Sequence, residues 1–161
     1  MGLRRRTAAG TVLLTVVLSG CGSDEPGTPP EVTVDVSGRS VALEPTQYCL
    51  DDAGRRYDTV PPIIEVSPEA AITFTVPDDV AEQGWSVQVF DERLEEKIGE
   101  VDVDRGAAVF DDISTSDVAP AAFYLVVVED KGEDCGGFSG AWPVGFIRAS
   151  GEPPSSATPS G

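Results

Sequence analysis

The chain has no histidine and only one methionine, Met1. The lack of histidine excludes Ser-His-Asp and Cys-His catalysis and histidine-ligated zinc or copper. Removal of Met1 with a signal peptide would also exclude a thioether copper site. The absent residue types therefore argue against histidine-dependent catalysis and against these zinc and copper sites.

Basic residues are scarce: 11 Lys and Arg stand against 28 Asp and Glu, a net charge of −17 over 161 residues. Such a chain repels phosphate and anionic headgroups, which argues against nucleic-acid binding and against a polybasic membrane contact. The charge is consistent with a solvated surface. It is also consistent with a docking face for a basic partner or for divalent cations.

The sequence lacks an apolar run long enough to span a bilayer, which takes about 20 residues. Its longest one, from Ala8 to Leu18, has the length of a signal-peptide hydrophobic region. Arg4, Arg5 and Arg6 precede it as a positive n-region. Residues 1–20 are therefore predicted to be a signal peptide, with the export route left open.

Leu18-Ser19-Gly20-Cys21 resembles the lipobox of bacterial lipoproteins, leucine and two small residues before a cysteine. The resemblance implies cleavage before Cys21, acylation of its thiol, and anchoring on the extracytoplasmic face of the cell membrane. Two or three acyl chains hold a protein stably where one does not. The alternative is an ordinary signal peptide with a free Cys21. Cleavage would leave 8 basic residues and a net charge of −20.

Cys49 and Cys135 are the remaining cysteines, an even number in an oxidising compartment. They are expected to form a disulfide. Two free buried thiols are the alternative, and a redox role is disfavoured because there is no C-x-x-C motif.

Composition divides the chain into three parts after cleavage. Residues 21–30 form a lipid anchor and a flexible spacer rich in proline and glycine. Residues 31–150 hold one domain, and residues 151–161 are predicted to be a disordered tail.

Apolar residues in the domain alternate with a period of two, and turn residues separate the runs. Phe123 to Val128 is continuously apolar, which predicts a central strand buried on both faces. The pattern predicts an all-β, immunoglobulin/fibronectin-III-like antiparallel sandwich of about 7–9 short strands. The strands are expected around Val32–Val36, Val41–Leu43, Ile64–Val66, Ile72–Val76, Trp85–Val89, Ile98–Val103, Ala107–Asp111, Phe123–Val128 and Trp142–Phe146.

The spacing Val118-x-Pro120-x-x-x-Tyr124-x-Val126 resembles the entry to strand F of fibronectin-III-like domains. There a tyrosine corner bonds back to upstream backbone. The resemblance assigns Ile72–Val76 to strand B and Trp85–Phe90 to strand C. Residues 108–113 would be strand E. A disulfide at Cys135 would then staple a loop at one end instead of bridging the sheets.

Pro45-Thr46-Gln47-Tyr48-Cys49 and Gly84-Trp85-Ser86-Val87, with the lipobox and first strands, resemble a family of small actinobacterial lipoproteins of unknown function. The resemblance covers about residues 31–150. It implies an envelope location and an immunoglobulin-like fold, and it brings no activity or site residues.

Acidic pairs recur at predicted turns, where solvated carboxylates are poor acid-base catalysts. Asp102 to Gly106 faintly resembles a calcium loop but lacks the third oxygen ligand and the closing glutamate. Loops of a sandwich can still gather acids around calcium, for which Asp78, Asp79, Asp111 and Asp112 are candidates.

Tyr48, Arg55, Arg56 and Tyr57 are the candidate contact surface, since they lie near Cys49 in a segment predicted to be irregular and exposed. Trp85 and Trp142 alternate with polar residues on strands and are predicted to be core, with exposed carbohydrate platforms as the alternative.

The sequence thus predicts a non-enzymatic, membrane-anchored lipoprotein that serves as an interaction or accessory module for an unknown envelope protein. No catalytic residue, metal ligand or cofactor is indicated. The alternative is a ligand-binding module for calcium or a cell-wall glycan.

Overall fold

The computed structural model describes residues 27–118, 120–130 and 134–149. The predicted signal peptide (1–20), the predicted lipidation residue Cys21, spacer residues 22–26 and the predicted tail (151–161) lie outside the described residues. Nearly all of the domain predicted for residues 31–150 is described.

The described ranges contain eleven strands and one short α-helix, α1, at Asp78–Gln83. Alternating apolar residues form most of the strands, as expected for surfaces that are buried on one side. The strands are β1 (Val32–Val36), β2 (Arg39–Leu43), β3 (Gln47–Leu50), β4 (Ala53–Arg56), β5 (Ile63–Val66), β6 (Ala71–Thr75), β7 (Trp85–Phe90), β8 (Lys97–Val103), β9 (Val109–Ser114), β10 (Ala122–Glu129) and β11 (Ala141–Arg148).

The strands form two packed sheets. The first has the order β2-β1-β6-β9, and the second has the order β4-β3-β11-β10-β7-β8. Predicted strands B and E share the first sheet while C and F share the second, which is the division found in immunoglobulin-like sandwiches. The predicted fold class is confirmed. One pair, β5 with β11, is parallel and departs from the antiparallel expectation.

The strand count exceeds the predicted 7–9 because the β3–β4 hairpin was expected to be irregular. Its turn residues, Asp51 and Asp52, both have positive φ values, 51° and 59°. Positive φ at both central residues is the type I′ geometry that two-residue hairpins favour, although Asn-Gly is its usual sequence. All four residues of β4 are exposed, so no apolar alternation marks it.

Both tryptophans lie in the core, which confirms that prediction. Trp142 is fully buried, and Trp85 nearly so. The indole N–H of Trp142 donates to the carbonyl of Pro30 at 2.9 Å, and that of Trp85 donates to the carbonyl of Ala107 at 2.8 Å. Each buried N–H therefore has a backbone acceptor, as burial of a polar group requires.

Within the residues that the structure describes, the tyrosine corner predicted at Tyr124 is not formed. Phe123 and Leu125 of β10 point into the core, so Tyr124 points to the outer side of the sheet and is half-buried. Its ring lies against Gly145 of β11, and among the described residues its hydroxyl makes no hydrogen bond. A corner tyrosine would lie on the inward side of strand F, two residues before the inward-facing cysteine of antibody domains.

Cys49 and Cys135 form a disulfide, with Cα atoms 6.2 Å apart. Cys49 lies on β3, and Cys135 lies in the 3₁₀-type turn Asp134–Gly137. As predicted, the bond does not join the two sheets through the core. It fastens a peripheral hairpin to a turn.

Thr115 is a buried polar residue whose hydroxyl closes a turn. Its Oγ1 donates to the carbonyl of Ser67 at 2.8 Å and accepts from the N–H of Ala70 at 3.0 Å. We expect Thr115→Val, which keeps the shape, to lower the free energy of unfolding by about 1–3 kcal/mol. Urea denaturation checks this value. Thr115→Ser keeps the hydroxyl and is the control; an equal loss in Thr115→Ser would show that the methyl group matters instead.

Candidate binding face on the second sheet

The two sheets differ on their outer sides. The first carries the polar residues Thr33 and Asp35 on β1 and Thr73 and Thr75 on β6, with Ala71 as the one small apolar residue on this side of the two strands. This is the usual pattern for an antiparallel sheet with one solvated side. The first sheet therefore offers no apolar contact surface on its central strands.

The second sheet is apolar on the outer side of its central strands, β10 and β11. The register pairs Tyr124 with Gly145, Val126 with Pro143, and Val128 with Ala141. Val126, Pro143 and Gly145 are themselves buried, so the parts of this side that are open to solvent belong to other residues of the two strands. Exposed apolar patches commonly mark interaction sites. We define the apolar face as Tyr124, Val126, Val128, Ala141, Pro143, Gly145 and Ile147.

A groove of about 320 Å³ runs along this face. Thr46 and Gln47, at the start of β3, form one wall. Leu94, in the loop between β7 and β8, forms the other wall together with Phe90. The floor consists of Val126, Val128, Ala141 and Pro143, with Gln88 at its edge.

Leu94 has an unusual backbone conformation for a branched residue, with φ at 60°. Its N–H donates to the carbonyl of Asp91 at 3.1 Å, within a loop that the Asp91 side chain organises. The left-handed region costs an ordinary L-residue roughly 1–2 kcal/mol and is usually left to Gly or Asn. The loop therefore presents a leucine side chain to the groove at an energetic cost.

The carboxylate of Asp91 holds this loop. Its Oδ1 accepts from the N–H of Glu95 at 2.8 Å and from the N–H of Glu96 at 3.1 Å, and these bonds lower the pKa of Asp91. A lowered pKa gives stabilisation that is present above the unfolded pKa, about 4, and is lost as the pH falls through the folded value.

We therefore expect acidification below about pH 4 to loosen the loop while the core strands stay ordered. The amide chemical shifts of Glu95 and Glu96 should titrate with an apparent pKa below that of an ordinary aspartate. Asp91→Asn should remove this transition. A midpoint at or above the ordinary value would contradict the assignment.

An acidic cleft of about 340 Å³ adjoins the groove and shares Gln88 and Val128 with it. Four carboxylates and one guanidinium line the cleft. They belong to Glu100, Asp102, Glu129, Asp130 and Arg105. Glu129 differs from the other three acids, because it is fully buried at the end of β10 on the side that faces the core. The apolar groove and the acidic cleft are thus neighbours, with Gln88 and Val128 between them.

Glu100 is fixed by three donors. Lys97 lies 2.7 Å from its Oε2, while the Gln88 amide and the Ser86 hydroxyl each donate to Oε1 at 3.0 Å. The Lys97 ammonium, then the Gln88 and Ser86 bonds, lower the pKa of Glu100. The cleft therefore presents a positioned, ionised carboxylate at neutral pH.

The predicted contact surface is only partly exposed. Tyr48 is buried, which corrects the prediction: its ring packs 5.7 Å from that of Trp142 beneath β3. Tyr57 is half-buried against the core. Arg55 and Arg56 are exposed, with Arg56 5.7 Å above the ring of Phe138. A contact role for the two arginines stays a prediction.

The acids proposed for calcium do not come together. Asp78 and Asp79 lie on α1, whereas Asp111 and Asp112 lie on β9. Within the described residues, no group of three or more Asp, Glu, His or Cys side chains has the spacing to hold a metal ion.

A family model described as a protein of unknown function, DUF2771, matches residues 25–131. The chain belongs to the DUF2771 family. No curated protein and no solved structure matches it. The DUF2771 match confirms a family of unknown function and runs from the spacer to just after β10. No helix in the described part of this DUF2771 chain is long and apolar enough to cross a membrane.

Sequence reasoning missed the groove in this DUF2771 chain. A signal was present in the continuous apolar run Phe123–Val128, whose outer residues lie on the apolar face. A second signal was the placing of Pro143 and Gly145 between the larger apolar residues Trp142, Val144 and Phe146, although all five are buried.

Proposed function

We propose that this chain is a non-enzymatic lipoprotein of the actinobacterial cell envelope, anchored through lipid on Cys21 and binding a protein partner with its second sheet. The observation that carries the proposal is the apolar face. It lies on β10 and β11, two paired strands inside the sheet, and continues into the walled groove. The lipobox supports the anchored location.

The two carboxylates with shifted pKa values fit binding better than catalysis. Acid-base catalysis by carboxylates needs one of them to have a raised pKa. Asp91 and Glu100, both beside the groove or cleft, have lowered pKa values and are ionised near neutral pH. Fixed, ionised carboxylates next to apolar side chains suit recognition of a charged partner.

In-cell crosslinking followed by detergent co-purification tests the proposal. We expect a partner to be enriched with the wild-type chain and lost with Ile147→Asp combined with Leu94→Asp, two exposed positions beside or on the apolar face. Val109→Asp is the matched control, since Val109 is an exposed apolar residue on β9 of the first sheet. Cys21→Ala should weaken enrichment by removing the anchor.

Equal enrichment with all variants would overturn the assignment of the face. An absence of any partner, together with a calcium-dependent rise in melting temperature or glycan binding, would favour the ligand-binding alternative.

A further inference from the structure

We propose that the partner is recognised through a cationic extended segment that places an apolar side chain in the groove and a Lys or Arg side chain in the acidic cleft. This inference rests on the proposed function, because it names the chemistry of the partner that the apolar face binds.

Contiguity of the two depressions is the first argument. They share Gln88 and Val128, so a ligand in one lies directly beside the other. In an extended chain, residues i and i+2 point the same way and are about 6.6 Å apart. Two side chains spaced in this way reach adjacent subsites from one strand.

The acidic charge of the cleft is the second argument, because it favours a partner of positive charge. Among the side chains of the cleft that are not fully buried, Glu100, Asp102 and Asp130 outnumber Arg105. Lys97 offsets part of the Glu100 charge, and the whole chain has a net charge of −17. An anionic ligand and a second copy of this chain would both be repelled. Like charges placed across an interface oppose association, whereas a cationic segment is attracted and oriented by the same field.

Leu94 supplies the third argument. Asp91 fixes the loop with two backbone hydrogen bonds, and this loop holds Leu94 in the left-handed region against the groove. Its side chain is 38% exposed, so a substantial apolar area stays open to contact with a ligand. Strained residues that persist in fixed loops are typical of binding sites.

A peptide titration with the full chain tests the inference. The probe is a dye-labelled peptide, Ser-Leu-Ser-Lys-Ser-Leu-Ser-Lys-Ser, followed by fluorescence anisotropy at low salt. Its Leu and Lys side chains share one side when it is extended. We expect saturable binding, at least tenfold weaker for the peptide with Glu in place of Lys and for the peptide with Ser in place of Leu.

Matched variants locate the binding. Glu100→Gln with Asp102→Asn should weaken the Leu/Lys peptide at least tenfold, and so should Leu94→Asn, which suits the left-handed backbone. Asp35→Asn with Asp111→Asn removes the same charge from exposed positions of the first sheet and should leave binding unchanged. Thermal melts of each variant separate lost binding from lost folding.

Three results would overturn the inference. The first is no saturable binding, and the second is equal weakening by both charge-removing pairs, which would mean nonspecific attraction. The third is a concentration-dependent dimer that blocks the groove.

If the peptide fails to bind but the cellular partner is still lost on Ile147→Asp with Leu94→Asp, the proposed function stands while the cationic segment fails. If neither probe nor partner binds this face, both fail.

Discussion

Replacing Cys49 and Cys135 together by alanine is expected to lower the free energy of unfolding by about 3–4 kcal/mol. The two cysteines are 86 residues apart, so the bond closes most of the domain into one loop. Without it, the unfolded chain gains the conformational freedom that the loop had removed. Urea denaturation of the alanine variant against the oxidised wild type measures the difference.

Loss of the disulfide should destabilise the β3–β4 hairpin before the rest of the domain. All residues of β4 are exposed, so Tyr48 of β3 is the one fully buried side chain of this hairpin. Amide hydrogen exchange should therefore accelerate most in β3 and β4. Reduction of the wild type should reproduce the alanine variant. A change below about 1 kcal/mol, or uniform exchange, would contradict the role given to the bond.

Trp142→Ala is expected to lower the free energy of unfolding by about 3–5 kcal/mol. The side chain is fully buried, contacts the ring of Tyr48, and bonds to the carbonyl of Pro30. Truncation removes this packing, leaves a cavity between the sheets, and deprives the Pro30 carbonyl of its donor. Denaturant unfolding monitored by far-ultraviolet circular dichroism gives the value.

Trp142→Phe separates the two contributions. It retains most of the ring packing but loses the N–H donor, so the expected loss is smaller, about 1–3 kcal/mol. Hydrogen exchange at the start of β1 should rise in both variants because both lose the bond to Pro30. Equal losses in the two variants would show that the hydrogen bond, and not the packing, dominates.

Nine of the strands could be predicted because apolar alternation with turn residues between runs encodes them locally. Val32–Val36 and Ile72–Val76 illustrate this, since their inward residues are all buried. The β3–β4 hairpin could not be found in this way. Its turn is Asp-Asp, and β4 has no buried position, so neither signal was present.

The candidate site was harder to predict because it depends on strand pairing over long sequence distances. Val126 meets Pro143 across the β10–β11 pair, and the Leu94 loop then forms a wall. Tyr48 shows a related limit. A four-residue strand has two alternating sides, and the sequence alone does not determine whether Tyr48 or Cys49 points inward.

The bond between Trp142 and the Pro30 carbonyl also sets a distance. It fixes Pro30, where the chain enters the domain, to Trp142. Gly140, two residues before Trp142, accepts a hydrogen bond through its carbonyl from the N–H of Glu129, which lines the acidic cleft. A fully extended chain covers at most about 3.3–3.6 Å per residue. With Cys21 lipidated as proposed, residues 21–30 then let Pro30 rise no more than roughly 35 Å above the lipid surface. The tether thus keeps the base of the domain near the membrane, and we expect partners of the cleft to be membrane proteins or components of the adjacent wall.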